Sequence, residues 1–201
     1  MRWIVAIALA LALASPGFAQ VAAEKNKFVN YYPLKTGAKW TYEVDDGTGQ
    51  KARVVNHLAG METVDGKELA RMETTVGGTV AATEHLSGSP AGVFRHRYKG
   101  DSINPALCIL KYPFKEADSW EAEATVGSQR LKMKVKTGRN EEIRVPAGKY
   151  KTVTVLIETT VDGESIAGAT WYAADVGVVK QITDVGAKRI TLELLKFEPG
   201  K

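Results

Sequence analysis

From Tyr31 onward, this chain alternates short β-type runs with turn signals about 8–12 residues apart. Two of these signals, Asp65-Gly66 and Asp162-Gly163, are Asp-Gly pairs between β-type runs, a strong short-range indication of a hairpin. No stretch of residues 31–201 keeps a sustained helical period, apart from a short turn around Phe114 to Ser119. The sequence therefore predicts one all-β domain over residues 31–201, an antiparallel meander that forms a curved sheet, half-barrel or barrel.

The apolar residues of several runs recur at every second position, which places them on one face of a strand. Three runs show this most clearly: Trp40, Tyr42 and Val44; Val153, Val155 and Ile157; and Ile190, Leu192 and Leu194. We expect these faces to form the core, with Trp40, Trp120 and Trp171 as aromatic anchors.

The second half of the chain repeats features of the first about eighty residues later. The matched pairs are Tyr32-Pro33 with Trp40 and Tyr112-Pro113 with Trp120, Gly66-Lys67 and Gly148-Lys149, Glu73–Val76 and Glu158–Val161, and Gly92-Val93 and Gly177-Val178. Two interpretations remain open, an internal duplication and a chance likeness between two β-rich halves.

The N-terminus has the pattern of a secretory signal peptide. Arg2 precedes an apolar run from Ile4 to Ala14, and Gly17-Phe18-Ala19 supplies small residues at the cleavage positions. The run is too short for a spanning helix, which needs about 20 apolar residues. We expect a signal peptide over residues 1–19, a flexible lead-in over residues 20–30, an exported protein (periplasmic or secreted) and no transmembrane segment after cleavage.

Composition and motifs exclude several function classes. The formal net charge of +4 is too small to indicate nucleic-acid binding. Cys108, the only cysteine, rules out an internal disulfide and is expected to be a buried apolar side chain. No histidine spacing favours a metal site, although His85 and His96 would meet across a hairpin with Glu84 close by. We therefore predict no catalytic residues, no metal and no cofactor.

The serine-containing segment Ser87–Gly92 is better explained as a turn than as a nucleophile. It lacks the Gly-x-Ser-x-Gly pattern of a nucleophile elbow, and no helix follows it.

One charge pattern is a candidate ligand-binding face. Arg130, Lys132, Lys134 and Lys136 alternate with the apolar residues Leu131, Met133 and Val135. As a strand, this segment would present four cations on one face, suited to phosphates, polysaccharide or lipid head groups. The alternative is a solvated face whose lysines protect the strand from aggregation.

Three segments resemble poorly characterised bacterial envelope proteins of the DUF3108-like type. Val145-Pro146-Ala147-Gly148-Lys149-Tyr150 resembles their V-P-A-G-x-[FY] segment. Trp171–Lys180 resembles their W-[YF]-A-P-G-V-G-x-V-K hairpin, with Ala174 and Asp175 in place of Pro and Gly. Tyr32-Pro33-Leu34 with Trp40 resembles their opening motif. The resemblance implies a fold similar to the half-barrels of periplasmic lipoprotein carriers, and it brings no catalytic residue.

Together these features predict an exported, non-enzymatic β-domain whose ligand would be apolar or amphipathic, with a lipid or another envelope component as its partner. Two alternatives remain open: an enzyme, such as a hydrolase, that acts on an envelope polymer, and a purely structural or interaction module. The lining of the largest cavity distinguishes among them.

Overall fold

The computed structural model describes residues 29–201, which form twelve antiparallel strands. The predicted signal peptide and most of the predicted lead-in lie outside the described residues. The strands are β1 (Lys39–Asp45), β2 (Lys51–Val64), β3 (Lys67–Val76), β4 (Thr79–Ser89), β5 (Gly92–Tyr98), β6 (Asp101–Lys111), β7 (Ser119–Val126), β8 (Gln129–Val145), β9 (Gly148–Val161), β10 (Glu164–Ala173), β11 (Gly177–Val185) and β12 (Lys188–Glu198).

The strands follow one another around a closed barrel. Each strand pairs with its neighbours in sequence, and β1 pairs with β12 to complete the ring. The prediction of an all-β antiparallel meander is confirmed, and its form is the barrel. None of the described residues belongs to a helix with the length and apolar character that a bilayer crossing requires.

Tight turns connect most of the strands, as the glycine pattern predicts. Asp65-Gly66 and Asp162-Gly163 both have positive φ at the two central positions, the geometry of a hairpin turn that matches strand twist. Lys99-Gly100 and Gly77-Gly78 have the same signs of φ. The predicted Asp-Gly hairpins are therefore present.

The two ends of the barrel differ. We call the end at which β1 starts and β12 finishes the closed end, because residues 30–38 cross it. There the amide of Asp175 donates to the carbonyl of Asn30 at 2.7 Å, and the amide of Tyr31 donates to the Tyr112 hydroxyl at 3.1 Å. The opposite end, which carries the β1–β2, β3–β4 and β11–β12 turns, is the open end.

Burial inside the barrel decreases from the closed end to the open end. Along the inward face of β11, Val179 is 0% exposed whereas Val185, at the open end, is 42% exposed. The inward residues of β12 follow the same gradient, with Leu194 fully buried and Leu192 half-buried. The molecule is therefore a cup, filled by side chains at its closed end.

One interface in the barrel is much shorter than the others. Strands β6 and β7 pair through only two residue pairs, Ile103 with Val126 and Asn104 with Thr125. Pro105, which has no N–H to donate, follows the last paired residue of β6. We call this short interface the β6–β7 seam.

Candidate functional site

The candidate site is a cavity of about 250 Å³ inside the cup, above the filled closed end. Its lining mixes aromatic, aliphatic and polar side chains from most of the barrel. Residues that line it include Tyr32, Trp40, Tyr42, Asn56, Met72, Glu84, Arg95, Ile109, Met133, Ile157, Thr159, Ile166, Thr170, Tyr172, Gln181, Thr183 and Leu192. The cavity is thus amphipathic rather than uniformly apolar.

A charged pair lies in the wall of the cavity. Glu84 of β4 and Arg95 of β5 are on adjacent strands, and Arg95 Nε lies 2.7 Å from Glu84 Oε2. Both atoms are inaccessible to solvent, yet the pair does not meet the geometry of a directed hydrogen bond. The two charges compensate each other, but their hydrogen-bonding capacity is incompletely used.

The surroundings of Arg95 keep it charged. Burial lowers the pKa of the Arg95 guanidinium. The negative charge of Glu84 and the nearby Tyr32 and Tyr172 hydroxyls have the larger, opposite effect, so the pKa of Arg95 is raised overall. The guanidinium carbon also lies 5.8 Å from the centre of the Tyr98 ring, a cation–π distance. About a third of the Arg95 side chain remains exposed, because it faces the cavity.

Three tyrosines form the floor of the cavity. Burial raises the pKa of Tyr32, Tyr42 and Tyr172 above the usual tyrosine value. Their hydroxyls therefore stay protonated near neutral pH. The Tyr42 hydroxyl donates to the carbonyl of Val178 at 2.9 Å, and the Tyr32 and Tyr172 rings lie 6.1 Å apart. These groups can hydrogen-bond a ligand, but none is a nucleophile or base at that pH.

The predicted cation strand has the alternation that its sequence indicates. In β8, Met133 and Val135 are buried and Leu131 is half-buried, whereas the cations Arg130, Lys132, Lys134 and Lys136 are exposed. This outer face is not purely positive, however, because carboxylates lie on the neighbouring strands. Lys132 pairs with Glu123 at 2.8 Å, and Lys134 is in register with Glu121 and Glu158.

A second, more open depression of about 850 Å³ includes part of the same strand. Its cations are Lys134, Lys136 and Arg189, and its carboxylates are Glu121, Glu158 and Asp184. Because cations and carboxylates are equal in number, this depression has no excess positive charge. Contact of the Arg130–Lys136 face with an anionic partner stays a prediction.

The histidines of the β4–β5 hairpin lie on the outside of the barrel. His85 contacts Glu62 of β2 at 2.9 Å, and His96 contacts the Ser87 hydroxyl at 2.8 Å. Burial lowers the pKa of His96, which favours its neutral form. Glu84 does not join them, because adjacent residues of a strand point to opposite faces and Glu84 faces the cavity. Within residues 29–201, no group of His, Cys, Asp and Glu side chains has a metal-binding arrangement.

Cys108 is less buried than expected. It is half-buried on β6, and burial raises the pKa of its thiol, which therefore stays protonated at neutral pH.

The Glu84–Arg95 pair is the feature that sequence reasoning missed. Arg95 lies two residues after the buried Val93, and Glu84 two residues before the buried Leu86. This period of two places both charges on the inward face. The alternation was a usable signal, but a charged residue at an inward position is unexpected unless its partner is known.

Comparisons with known proteins agree with the fold. No family model matches the chain, and no curated protein does either. A solved structure of a protein assigned as a lipoprotein, from Parabacteroides distasonis, is 16% identical with a TM-score of 0.53, covering 85% of this chain and 99% of that one. A protein assigned as exported, with a YmcC-like fold, from Bacteroides fragilis, is 15% identical with a TM-score of 0.53, covering 85% and 100%.

At this identity the likeness concerns the fold alone. This chain shares its fold with a protein assigned as a lipoprotein and a protein assigned as exported. The more specific resemblance to the DUF3108-like group stays a prediction.

Proposed function

We propose that this protein is an exported, non-enzymatic binding protein that holds a small amphipathic molecule inside its barrel. The observation that carries the proposal is the cavity itself, a space inside the barrel whose wall combines apolar side chains with the Glu84–Arg95 pair. Binding sites for small molecules are concave and combine apolar side chains with placed polar groups, and the mixed lining of this cavity supplies both.

The shape of the barrel supports this proposal. Residues 30–38 close one end, so a ligand would enter through the open end. There the inward side chains Val76, Tyr98, Ile166 and Val185 are 37–42% exposed. Apolar groups at the mouth would contact an apolar tail, while the polar end of the ligand would lie deeper, beside Arg95.

The residues of the cavity support binding rather than catalysis. Its tyrosines are held in their neutral form, and the histidines of the β4–β5 hairpin face the opposite side of the sheet. Among the described residues that line the cavity, no nucleophile lies beside a base in the pairing that covalent catalysis needs. Export is supported by the Ile4–Ala14 run of the sequence and by the fold shared with one protein assigned as exported and one assigned as a lipoprotein.

The experiment is a titration of the purified protein with a series of 1-alkanols, in which isothermal titration calorimetry measures binding. The test variant is Thr159→Phe, which places a ring in the cavity, and the matched control is Thr160→Phe on the outer face of the same strand. We expect the wild type and Thr160→Phe to bind a medium-length alkanol and Thr159→Phe to lose binding. Equal binding by both variants, or no binding by the wild type, would contradict the proposal.

A further inference from the structure

The cavity contains one compensated charge pair and no excess charge. Among the described residues that line it, Glu84 and Arg95 are the only charged side chains, and the three tyrosines of its floor are neutral. A ligand group that carries a charge would bring an uncompensated charge into this partly desolvated space. That cost is large unless an opposite charge is free to pair with it, and here each charge already has its partner.

The same pair has hydrogen-bonding capacity to offer. A guanidinium has five N–H donors, and the ion pair with Glu84 joins Arg95 Nε to Oε2 at 2.7 Å. Because about a third of the Arg95 side chain is exposed and it lines the cavity, its guanidinium can also donate to a ligand. Glu84 also lines the cavity and its side chain is 16% exposed, so a ligand group can reach that side chain even though its Oε2 atom is inaccessible to solvent. The wall therefore presents donors and acceptors side by side, and a matching ligand group needs both.

The volume sets the size of the ligand. An engineered apolar cavity of about 150 Å³ holds benzene, so a cavity of about 250 Å³ corresponds to about ten non-hydrogen atoms. An eight-carbon chain with one small polar end has this size.

We propose that the cavity selects amphipathic molecules whose polar end is uncharged and both donates and accepts hydrogen bonds, as a primary amide does. The amide carbonyl would accept from the Arg95 guanidinium, and the amide NH₂ would donate to the Glu84 carboxylate. This inference rests on the proposed binding function and adds the chemical class of the ligand.

The test compares two probes of equal size, octanamide and octanoate, at pH 7. We expect the wild type to bind octanamide about tenfold or more tightly than octanoate. Any apolar cavity would show some preference for the neutral probe, so the decisive variant is Glu84→Gln. It leaves Arg95 without a counter-charge, and we expect the preference to reverse in favour of octanoate. The control is Glu158→Gln, which removes a carboxylate from the outer face and should behave as the wild type does.

A second variant covers the case in which Glu84→Gln does not fold. Arg95→Gln leaves Glu84 as the unpaired charge, and we expect it to prefer octylammonium over octanamide. If the folded variant keeps the wild-type preference, the inference is overturned. If the wild type binds 1-alkanols but prefers octanoate to octanamide, the binding function stands and the inference fails. If it binds neither alkanols nor amide, both fail.

Discussion

At the scale of single residues, Gly92 is the position least open to substitution at the closed end of the barrel. Its φ of +149° lies outside the range that side chains usually allow, and a Cβ there would lie 2.2 Å from the carbonyl oxygen of Leu110. That oxygen belongs to the backbone of the paired strand β6, so it cannot move aside without disturbing the β5–β6 ladder.

We expect Gly92→Ala to lower the free energy of unfolding by about 3 kcal/mol, from backbone strain together with overpacking. Gly186→Ala is the control, because its φ is also positive but a Cβ there meets no atom within 4 Å. It should cost about 1 kcal/mol. Urea denaturation measures both, and equal midpoints for the two variants would contradict this explanation.

Trp40 and Trp120 begin equivalent strands but differ in burial. Trp40 is 3% exposed, stacks on Phe197 and donates its indole N–H to the carbonyl of Val176 at 2.6 Å. Trp120 is only half-buried, and its indole donates to the carbonyl of Cys108 at 3.0 Å, across the β6–β7 seam. The sequence predicts equal anchors, whereas the short seam leaves Trp120 partly exposed.

We therefore expect Trp40→Ala to destabilise the protein by about 3–5 kcal/mol and Trp120→Ala by about 2 kcal/mol. Thermal or urea denaturation of the two variants provides the comparison. A larger loss for Trp120→Ala would show that the burial difference does not govern their contributions.

At the scale of strands, the β6–β7 seam is the weakest part of the ring. Side chains supplement its two residue pairs: Lys111 pairs with Asp118 at 3.0 Å, the Thr125 hydroxyl donates to the Asn104 carbonyl at 3.2 Å, and Trp120 crosses to Cys108. Such contacts are individually weak at an exposed position, so this seam should open before the other interfaces.

Native-state hydrogen exchange tests this order. The amides of β7 that point toward β6 should exchange about tenfold or more faster than those of β9, which is paired along its length with both β8 and β10. Trp120→Phe, which removes the indole donor, should accelerate the β7 amides further and leave β9 unchanged. Similar protection of β7 and β9 would mean that the side chains fully replace the missing ladder.

The repeated segments occupy matching places in strands that are six apart. Trp40 and Trp120 are the second residues of β1 and β7, and Gly92 and Gly177 are the first residues of β5 and β11. Gly66-Lys67 and Gly148-Lys149 likewise lie where β3 and β9 begin. The matched segments therefore lie at corresponding places in two runs of six strands, each of which depends on the other to complete the ring. Whether they reflect an internal duplication stays an open prediction.

At the scale of the whole molecule, the sequence predicts the sheet better than it predicts the cavity. Alternating residues such as Val153 and Val155, and turns such as Asp162-Gly163, are local features, so strands and hairpins follow from them. Ring closure depends on β1 meeting β12, and residues that far apart in sequence leave no local pattern. The cavity is the space that inward side chains such as Thr159 and Gln181 leave unfilled. Its position follows from the assembled barrel and not from any local stretch of sequence.

A comparison of Asp175 with the Glu84–Arg95 pair shows which features the local sequence predicts and which it does not. Asp175 stands where the W-[YF]-A-P-G-V-G-x-V-K motif has glycine, and its φ of +59° is the left-handed conformation that glycine favours. The turn is thus predictable from the sequence, and Asp is among the few residues that adopt this conformation at modest cost. For the Glu84–Arg95 pair, the alternation gives only the face of each strand, and the closed ring is what turns that face toward a cavity.

The central claim is that the inside of the barrel binds an amphipathic molecule, and Leu156 and Ile157 provide the most direct test. These neighbours on β9 point to opposite faces, with Ile157 lining the cavity and Leu156 44% exposed outside. In methyl NMR spectra recorded with octanamide, we predict intermolecular NOEs from the octyl chain to Ile157, Ile166 and Leu192 and none to Leu156. Because Ile157 also borders the outer depression, Ile166 and Leu192 decide the outcome. NOEs to Leu156 without any to Ile166 and Leu192, or none to any of these residues at saturating octanamide, would contradict the account.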